Sequence, residues 1–327
     1  MGIIGAGGWG LALARILSIR HEVTVWVYEA PELQALSGER ESKTFLPGIR
    51  FDPAIRFTGA MEEAAKGKDL VVMVTPSFAY RASALAVAPY LSPETVVVSA
   101  TKGLEAGTMR RMSEIAAEVL PKKTEIVTLS GPSHAEEVSR LVPTAVVVAG
   151  KHPKIAERVR DIFITPPHFR VYSSTDHCGV ELGGALKNII AIAAGVIDGM
   201  KLGDNPKAAL ITRGLAEMVR FGVFMGAKPQ TFYGLSGIGD LVVTCDSLHS
   251  RNRRVGDLLA QGLDYPRIKS EMKQVAEGVY AAKAVHEFAL THKVSMPITE
   301  SVYRLLFESG DLKKELSALM SRDPKEE

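Results

Sequence analysis

A lysine set in the middle of an apolar helical run has few reasons to be there. Lys187 lies in VELGGALKNIIAIAAG, where nearly every neighbour is small or apolar. Gly183, Gly184, Ala191, Ala194 and Gly195 would let another backbone or a ligand come very close. The ammonium either snorkels to water or is buried for a purpose, and a buried ammonium loses pKa readily. A lowered pKa is what a proton donor and acceptor working near neutrality requires. Lys102 directly follows the run TVVVSAT, which puts its ammonium at the end of a strand; a surface lysine before a glycine turn is the plainer reading. Asp240, in the glycine-flexed LSGIGDLVVTC, is a carboxylate able to orient an ammonium. SRNRRVGDLL opens at Ser250 with Arg251, Asn252, Arg253 and Arg254 clustered at a helix start. Fork-shaped cations together with helix N–H groups make a phosphate site. Three arginines at the positive end of a helix dipole are unfavourable without an anion nearby, so anion binding is preferred to a solvated basic turn.

These residues need a frame, and the first ten residues announce one. In MGIIGAGGWG, Gly5, Gly7 and Gly10 fit G-x-G-x-x-G between a short apolar run and the helical LALARIL. The first glycine makes a tight turn, the second admits a pyrophosphate, and the third lets helix pack on strand. HEVTVWVY reads as the second strand, followed by Glu29, 19 residues after Gly10. An acid there can accept hydrogen bonds from the adenosine ribose hydroxyls and repels a 2′-phosphate; a solvated helix-entry glutamate is the alternative. No arginine stands at Tyr28 or Glu29, which favours NAD over NADP.

Further buried-strand runs are KDLVVMVTP (68–76), TVVVSATKG (95–103), EIVTLSGPS (125–133), TAVVVAG (144–150) and RVYS (170–173). Helical stretches separate most of them, so the expected fold class is α/β, a doubly wound, Rossmann-type, mostly parallel sheet. Ligands then sit off the carboxyl ends of the strands, at Thr75–Pro76, Thr101–Lys102–Gly103 and Gly131–Pro132–Ser133. From about Asp176 strands become scarce and helices are expected near 178–198, 206–226, 252–261 and 276–292. Residues 1–176 therefore read as a dinucleotide-binding domain and 177–327 as an all-α substrate and catalytic domain, with SRDPKEE a frayed tail.

The 327 residues are 46% hydrophobic and carry 39 basic and 37 acidic side chains, enough for a sizeable core and no sign of nucleic-acid binding. Two distant cysteines, Cys178 and Cys245, fit a reducing cytoplasm. The scattered His134, His152, His168 and His177 argue against a metal site, and no G-x-S-x-G elbow occurs. The apolar run Ala185–Ile197 is too short and too interrupted by lysine to span a membrane. The chain enters its glycine turn so soon that a signal peptide is not expected, and the three-residue first strand suggests that native residues precede it.

Taken together, the motifs resemble one family, NAD(P)-dependent glycerol-3-phosphate dehydrogenase. The resemblance covers nearly the whole chain and rests on GAGGWG (5–10), ATKGLE (100–105), SGPSHAEE (130–137), ELGGALKNIIAIAAG (181–195), TRGLAEM (212–218), GIGDLVVTC (237–245), SRNRR (250–254) and MPITESVY (296–303). It implies reduction of dihydroxyacetone phosphate to sn-glycerol 3-phosphate, feeding phospholipid synthesis. By resemblance Lys187 is the proton donor and acceptor at the substrate C2 oxygen, with Lys102 and Asp240 forming the polar centre and Asn188 and Thr244 close by. Gly131 and Ser133 bound the substrate, while Ser250, Arg251 and Asn252 hold its phosphate. Gly8, Trp9, Ala135, Arg251, Val275 and Glu277 match positions that contact the dinucleotide, with Lys102 also beside it. A homodimer is expected. The chain departs from many bacterial members in having Gly8 in place of serine, no basic residue near Tyr28, and a shorter turn at Ser18–His21. Other two-domain hydroxyacid or sugar-nucleotide dehydrogenases, or a dinucleotide sensor, would lack SRNRR together with GIGDLVVTC, or Lys187, Lys102 and Asp240.

Overall fold

Short β-branched runs, each followed by a helix, assemble into one eight-stranded sheet. The structure is a computed structural model and describes residues 1–272 and 274–323. The first half runs β1 (Gly2–Ile4), α1 (Gly8–Ser18), β2 (Thr24–Trp26), α2 (Ala30–Gly38), the hairpin β3 (Glu41–Ser42) and β4 (Leu46–Arg50), and β5 (Arg56–Thr58). It continues with α3 (Met61–Ala65), β6 (Leu70–Met73), α4 (Ser77–Val87), β7 (Val96–Ser99), α5 (Met112–Val119) and β8 (Glu125–Ser130). The last elements of this half are α6 (Ala135–Val138), β9 (Thr144–Gly150), α7 (Pro153–Phe163) and β10 (Phe169–Ser174).

The strand order is β10-β9-β8-β7-β6-β1-β2-β5. From β1 the chain steps outwards to β2 and β5, then returns to the other side of β1 at β6. That reversal is the switch point where such sheets leave a crevice off their carboxyl ends. Alternate residues feed opposite faces: Ile3, Val72 and Val98 pack on the α1 side with Leu11 and Ile16. Ile4, Val71 and Val97 pack on the other side with Tyr80, Ala84 and Ile115. All neighbouring strands are parallel except β8 and β9. The connection between them, residues 131–143, holds the four-residue α6 and no long crossover helix, and β9 runs antiparallel to β8.

The second half contains α8 (His177–Gly199), α9 (Asp204–Phe224), α10 (Asp240–Asp246), α11 (Arg251–Ala260), α12 (Tyr265–Glu271), α13 (Glu277–His292), α14 (Pro297–Phe307) and α15 (Leu312–Met320). The four helices expected from sequence fall within two residues of these bounds. Only the first three residues of the expected tail, SRD, lie within the described residues. Helix α8 is about 34 Å long and is the spine of this half. A Cβ on Gly195 would strike the Arg253 carbonyl, and one on Gly256 the Ile192 carbonyl, so α8 and α11 meet backbone to backbone. By length and composition α8 could cross a membrane, against the reading of a run too short to do so. Its apolar window is 94% buried against the rest of the chain, which accounts for that composition as core packing.

Candidate active site

The start of α8 is pinned before its lysine is reached. Asp176 caps the helix, accepting from the Gly179 N–H at 3.0 Å. One turn on, the buried Glu181 carboxylate accepts from Ser113 N at 2.8 Å, Ser113 Oγ at 2.6 Å and Arg111 at 2.7 Å. These bonds lock α8 onto α5 and set where Lys187 falls relative to the sheet.

Lys187 is buried, with 6% of its surface exposed. It does not snorkel to water. Its Nζ donates to Asp240 Oδ1 at 2.5 Å and to Thr244 Oγ1 at 2.6 Å. Asp240 and Thr244 are i and i+4 on α10 and so share a face. The Thr244 hydroxyl donates to the Asp240 carbonyl at 2.6 Å, which commits its oxygen to accept from Lys187. Lys102, at the carboxyl end of β7, donates to Asp240 Oδ2 at 2.7 Å and to the Gly131 carbonyl at 2.8 Å. One carboxylate, only 1% exposed, thus holds two ammonium groups. Each ammonium has three donors and keeps one uncommitted among the described residues.

The charges follow from the geometry. Burial lowers the Lys187 pKa to about 8; Asp240 opposes the fall and Lys102 adds to it. Burial alone would raise Asp240, but the charges of Lys102 and Lys187 outweigh it and hold the carboxyl below its ordinary value. A group titrating near 8 beside a fixed carboxylate can give and take a proton under ordinary conditions. His134, left among the scattered histidines by the sequence, stands at the edge of this centre. Burial, then the charge of Lys187, keep its pKa low and its ring neutral.

The arginine cluster divides differently from the expectation. Arg253 pairs with Asp198 at 2.6 Å and Arg254 with Asp257 at 2.6 Å, so protein carboxylates compensate two of the three cations. Arg251 has no ion-pair partner among the described residues. Arg251 is open to solvent at the start of α11, while desolvation by the surrounding protein lowers its pKa against the pull of Glu277 and Glu136. Ser250 caps α11, its Oγ accepting from Arg253 N at 3.2 Å. Asn252 is buried and donates to Asn188 Oδ1 at 2.8 Å, which links α11 to the residue after Lys187. Ser133 Oγ donates to the Gly131 carbonyl at 2.9 Å, so the carbonyl held by Lys102 also orders the Gly131–Ser133 loop.

The glycine turn is built as its spacing requires. Gly5 has φ +121°, and a Cβ on Gly10 would strike the Gly5 carbonyl where α1 crosses β1. A Cβ on Gly7 would meet open space, leaving the N-terminus of α1 approachable by a phosphate. Trp9 Nε1, in the first turn of α1, is buried without a hydrogen-bond partner among the described residues. Gly8 lies against Ala135, the first residue of α6. These features fit a dinucleotide pyrophosphate. Tyr28 is 81% exposed, its ring 5.8 Å from that of Trp26, and Glu29 is exposed at the start of α2 with no capping bond, so both stand open to solvent beyond the end of β2. Val275 and Glu277 lead into α13, and Glu277 reaches across to α4. Ser77, which receives it, and Asp198 were not singled out in the sequence; only the strand-end Thr75–Pro76 pointed towards Ser77.

Comparison with known proteins identifies the family. A family model described as the N-terminus of NAD-dependent glycerol-3-phosphate dehydrogenase matches residues 1–156, and the corresponding C-terminal model matches residues 176–317. Glycerol-3-phosphate dehydrogenase (NAD(P)+) of Brachyspira hyodysenteriae is 52% identical over 328 residues, covering 100% of this chain and 98% of that protein. The enzyme of the same name from Geobacter sulfurreducens is 49% identical over 330 residues, with 100% and 98% covered. The crystal structure of glycerol-3-phosphate dehydrogenase from Coxiella burnetii superposes with a TM-score of 0.93 at 37% identity, covering 98% of each chain.

Proposed function

The chain belongs to the NAD-dependent glycerol-3-phosphate dehydrogenase family, an oxidoreductase family working with NAD(P), and we propose how its own residues divide the reaction. The nicotinamide, when bound, supplies or accepts the hydride at C2 of the substrate. Lys187 gives a proton to the C2 oxygen as dihydroxyacetone phosphate becomes sn-glycerol 3-phosphate, and takes it back in reverse. Its pKa of about 8 leaves both forms accessible near neutrality. Asp240 and Thr244 each accept one of its hydrogens and so aim the third. Lys102, tethered to the same carboxylate, has a donor left for a substrate hydroxyl. Ser250, Arg251 and Asn252 receive the phosphate, Asn188 steadies Asn252, and Gly131 and Ser133 close the substrate's other side. Residues 1–176 hold the dinucleotide through Gly5, Gly7, Gly8, Trp9, Gly10, Tyr28, Glu29, Lys102 and Ala135. Residues 177–327 supply the chemistry, and Arg251, Val275 and Glu277 reach back to the dinucleotide.

The observation that carries this reading is the buried Lys187–Asp240 pair with the half-buried Lys102 on the same carboxylate, linked through Asn188 and Asn252 to the start of α11. The test is to mix the protein with dihydroxyacetone phosphate and NADH or NADPH and follow absorbance at the reduced-nicotinamide band. Loss of absorbance supports the reading, and none with either cofactor overturns it. The free carboxylate of Glu29 and the lack of arginine beside it support NAD over NADP, so kcat/KM should be higher with NADH. The product is a building block for phospholipid synthesis, and the two free cysteines suit a cytoplasmic enzyme. Val223, Phe224 and Leu290 are exposed at the ends of α9 and α13, where Phe224 meets Phe288 and His292. Such an apolar surface supports a homodimer, which light scattering would test.

A further inference from the structure

We propose that Ser77 is a positioning residue for the substrate-phosphate site, acting through a clasp with Glu277 that joins the two halves of the chain. The proposal rests on the reading of Ser250, Arg251 and Asn252 as that site. Ser77 opens α4 at the carboxyl end of β6, beside the switch-point crevice. Its backbone N–H donates to Glu277 Oε1 at 2.9 Å across 200 residues of sequence, and its hydroxyl donates to Glu277 Oε2. Beside this pair the rings of Phe78 and Tyr280 stand 5.7 Å apart, a second contact between the same two helix starts.

From Glu277 the hydrogen bonds continue inwards. The next residue, Gly278, donates its N–H to Asn252 Oδ1 at 2.9 Å. Asn252 Nδ2 donates to Asn188 Oδ1 at 2.8 Å, and Asn188 Nδ2 donates to the Gly184 carbonyl at 3.2 Å. Each amide uses its acceptor and one of its two donors, so among the described residues each has one N–H left for a ligand. The chain cannot slip easily. A Cβ on Gly278 would strike the Asn188 carbonyl, and one on Gly103 would collide with Ser77 Cβ and crowd Glu277 Oε2. Gly103 adjoins Lys102 and Asn188 adjoins Lys187, so the clasp touches the backbone beside both lysines of the centre.

Ser77 is too deeply buried, at 4% exposure, and too far along this chain of bonds to be a catalytic group itself. Its effect is to hold Glu277, and with it the α13 start that orients Asn252. A hydrogen bond from a neutral hydroxyl to a carboxylate is removed in Ser77→Ala, while the backbone N–H bond remains. Losing a bond of that kind corresponds to about tenfold in an equilibrium constant, and it should appear in phosphate affinity. Two measurements isolate it. Calorimetric titration of inorganic phosphate into the protein loaded with oxidised dinucleotide reads the site without turnover, and steady-state kinetics read KM and kcat for dihydroxyacetone phosphate.

The expected result for Ser77→Ala is phosphate affinity weakened about tenfold, KM raised by a similar factor, kcat within about twofold, and both affinities restored in Ser77→Thr. Unchanged phosphate affinity, or a fall in kcat with KM unmoved, overturns the proposal. If Ser77→Ala fails to fold, Glu277→Gln, titrated with phosphate after its dinucleotide saturation is confirmed because Glu277 is also proposed to reach the dinucleotide, must show the same weakening, and wild-type affinity there overturns the clasp equally. Failure of the wild-type protein to reduce dihydroxyacetone phosphate would strike the activity, while the phosphate titration would still decide the clasp.

Discussion

Replacing Asp240 by asparagine removes the one negative charge between two ammonium groups and keeps the side chain's shape. In the native site the carboxylate accepts from Lys187 at 2.5 Å and from Lys102 at 2.7 Å. Burial has already brought Lys187 down to about 8, and Asp240 is the main influence holding it up. A hydrogen bond to a charged partner is worth about 1.5–3 kcal/mol, which at 1.36 kcal/mol per unit is a further fall of about one to two pKa units. At about pH 7.5 the protonated share of Lys187 then drops from roughly three quarters to roughly one tenth. With Lys187 as the proposed proton donor, reduction of dihydroxyacetone phosphate needs the protonated form, so kcat/KM should fall about eightfold from protonation alone, and further from lost aim. The alkaline limb of the pH–rate profile should move down by about one to two units. The assay is kcat/KM for reduction across the neutral and alkaline range, with circular dichroism to confirm folding. A limb that stays in place, or moves upward, refutes the reasoning.

With Lys187 in the proposed role, reduction needs it protonated and oxidation needs it neutral. Profiles of kcat/KM should therefore mirror each other, reduction failing above about pH 8 and oxidation below it. If Arg251 holds the substrate phosphate as proposed, Arg251→Ala should raise KM for the phosphorylated substrate about tenfold to a hundredfold with kcat little changed, since no salt bridge engages it among the described residues; steady-state kinetics check this. Gly10→Ala should drive a methyl into the Gly5 carbonyl, costing at least about 1–3 kcal/mol by thermal unfolding and abolishing dinucleotide binding.

Much of this was legible in the residues because the cues were local. The glycine turn, the buried strand runs and the spine helix each carry their pattern within a dozen positions. Lys187 stood out because a charge among alanines, glycines and isoleucines has no cheap explanation. The antiparallel β9 was hidden, since TAVVVAG has the composition of a parallel strand and nothing local marks its direction. Strands β3, β4 and β5 are short and partly polar and gave no periodic signal. Compensation of Arg253 by Asp198 joins residues 55 positions apart, and Ser77 meets Glu277 across 200. Those pairings belong to the tertiary fold, and no local pattern encodes them.

The central claim is that Lys187 moves the proton. Lys187→Ala tests it most directly when turnover and dinucleotide affinity are measured on the same preparation. The account predicts that reduction slows by about two to four orders of magnitude. The dissociation constant for the nicotinamide cofactor, read by fluorescence titration, should stay within about twofold if, as proposed, the glycine turn of the first half is the main hold on the dinucleotide. A variant that retains turnover near the wild-type rate would contradict the account.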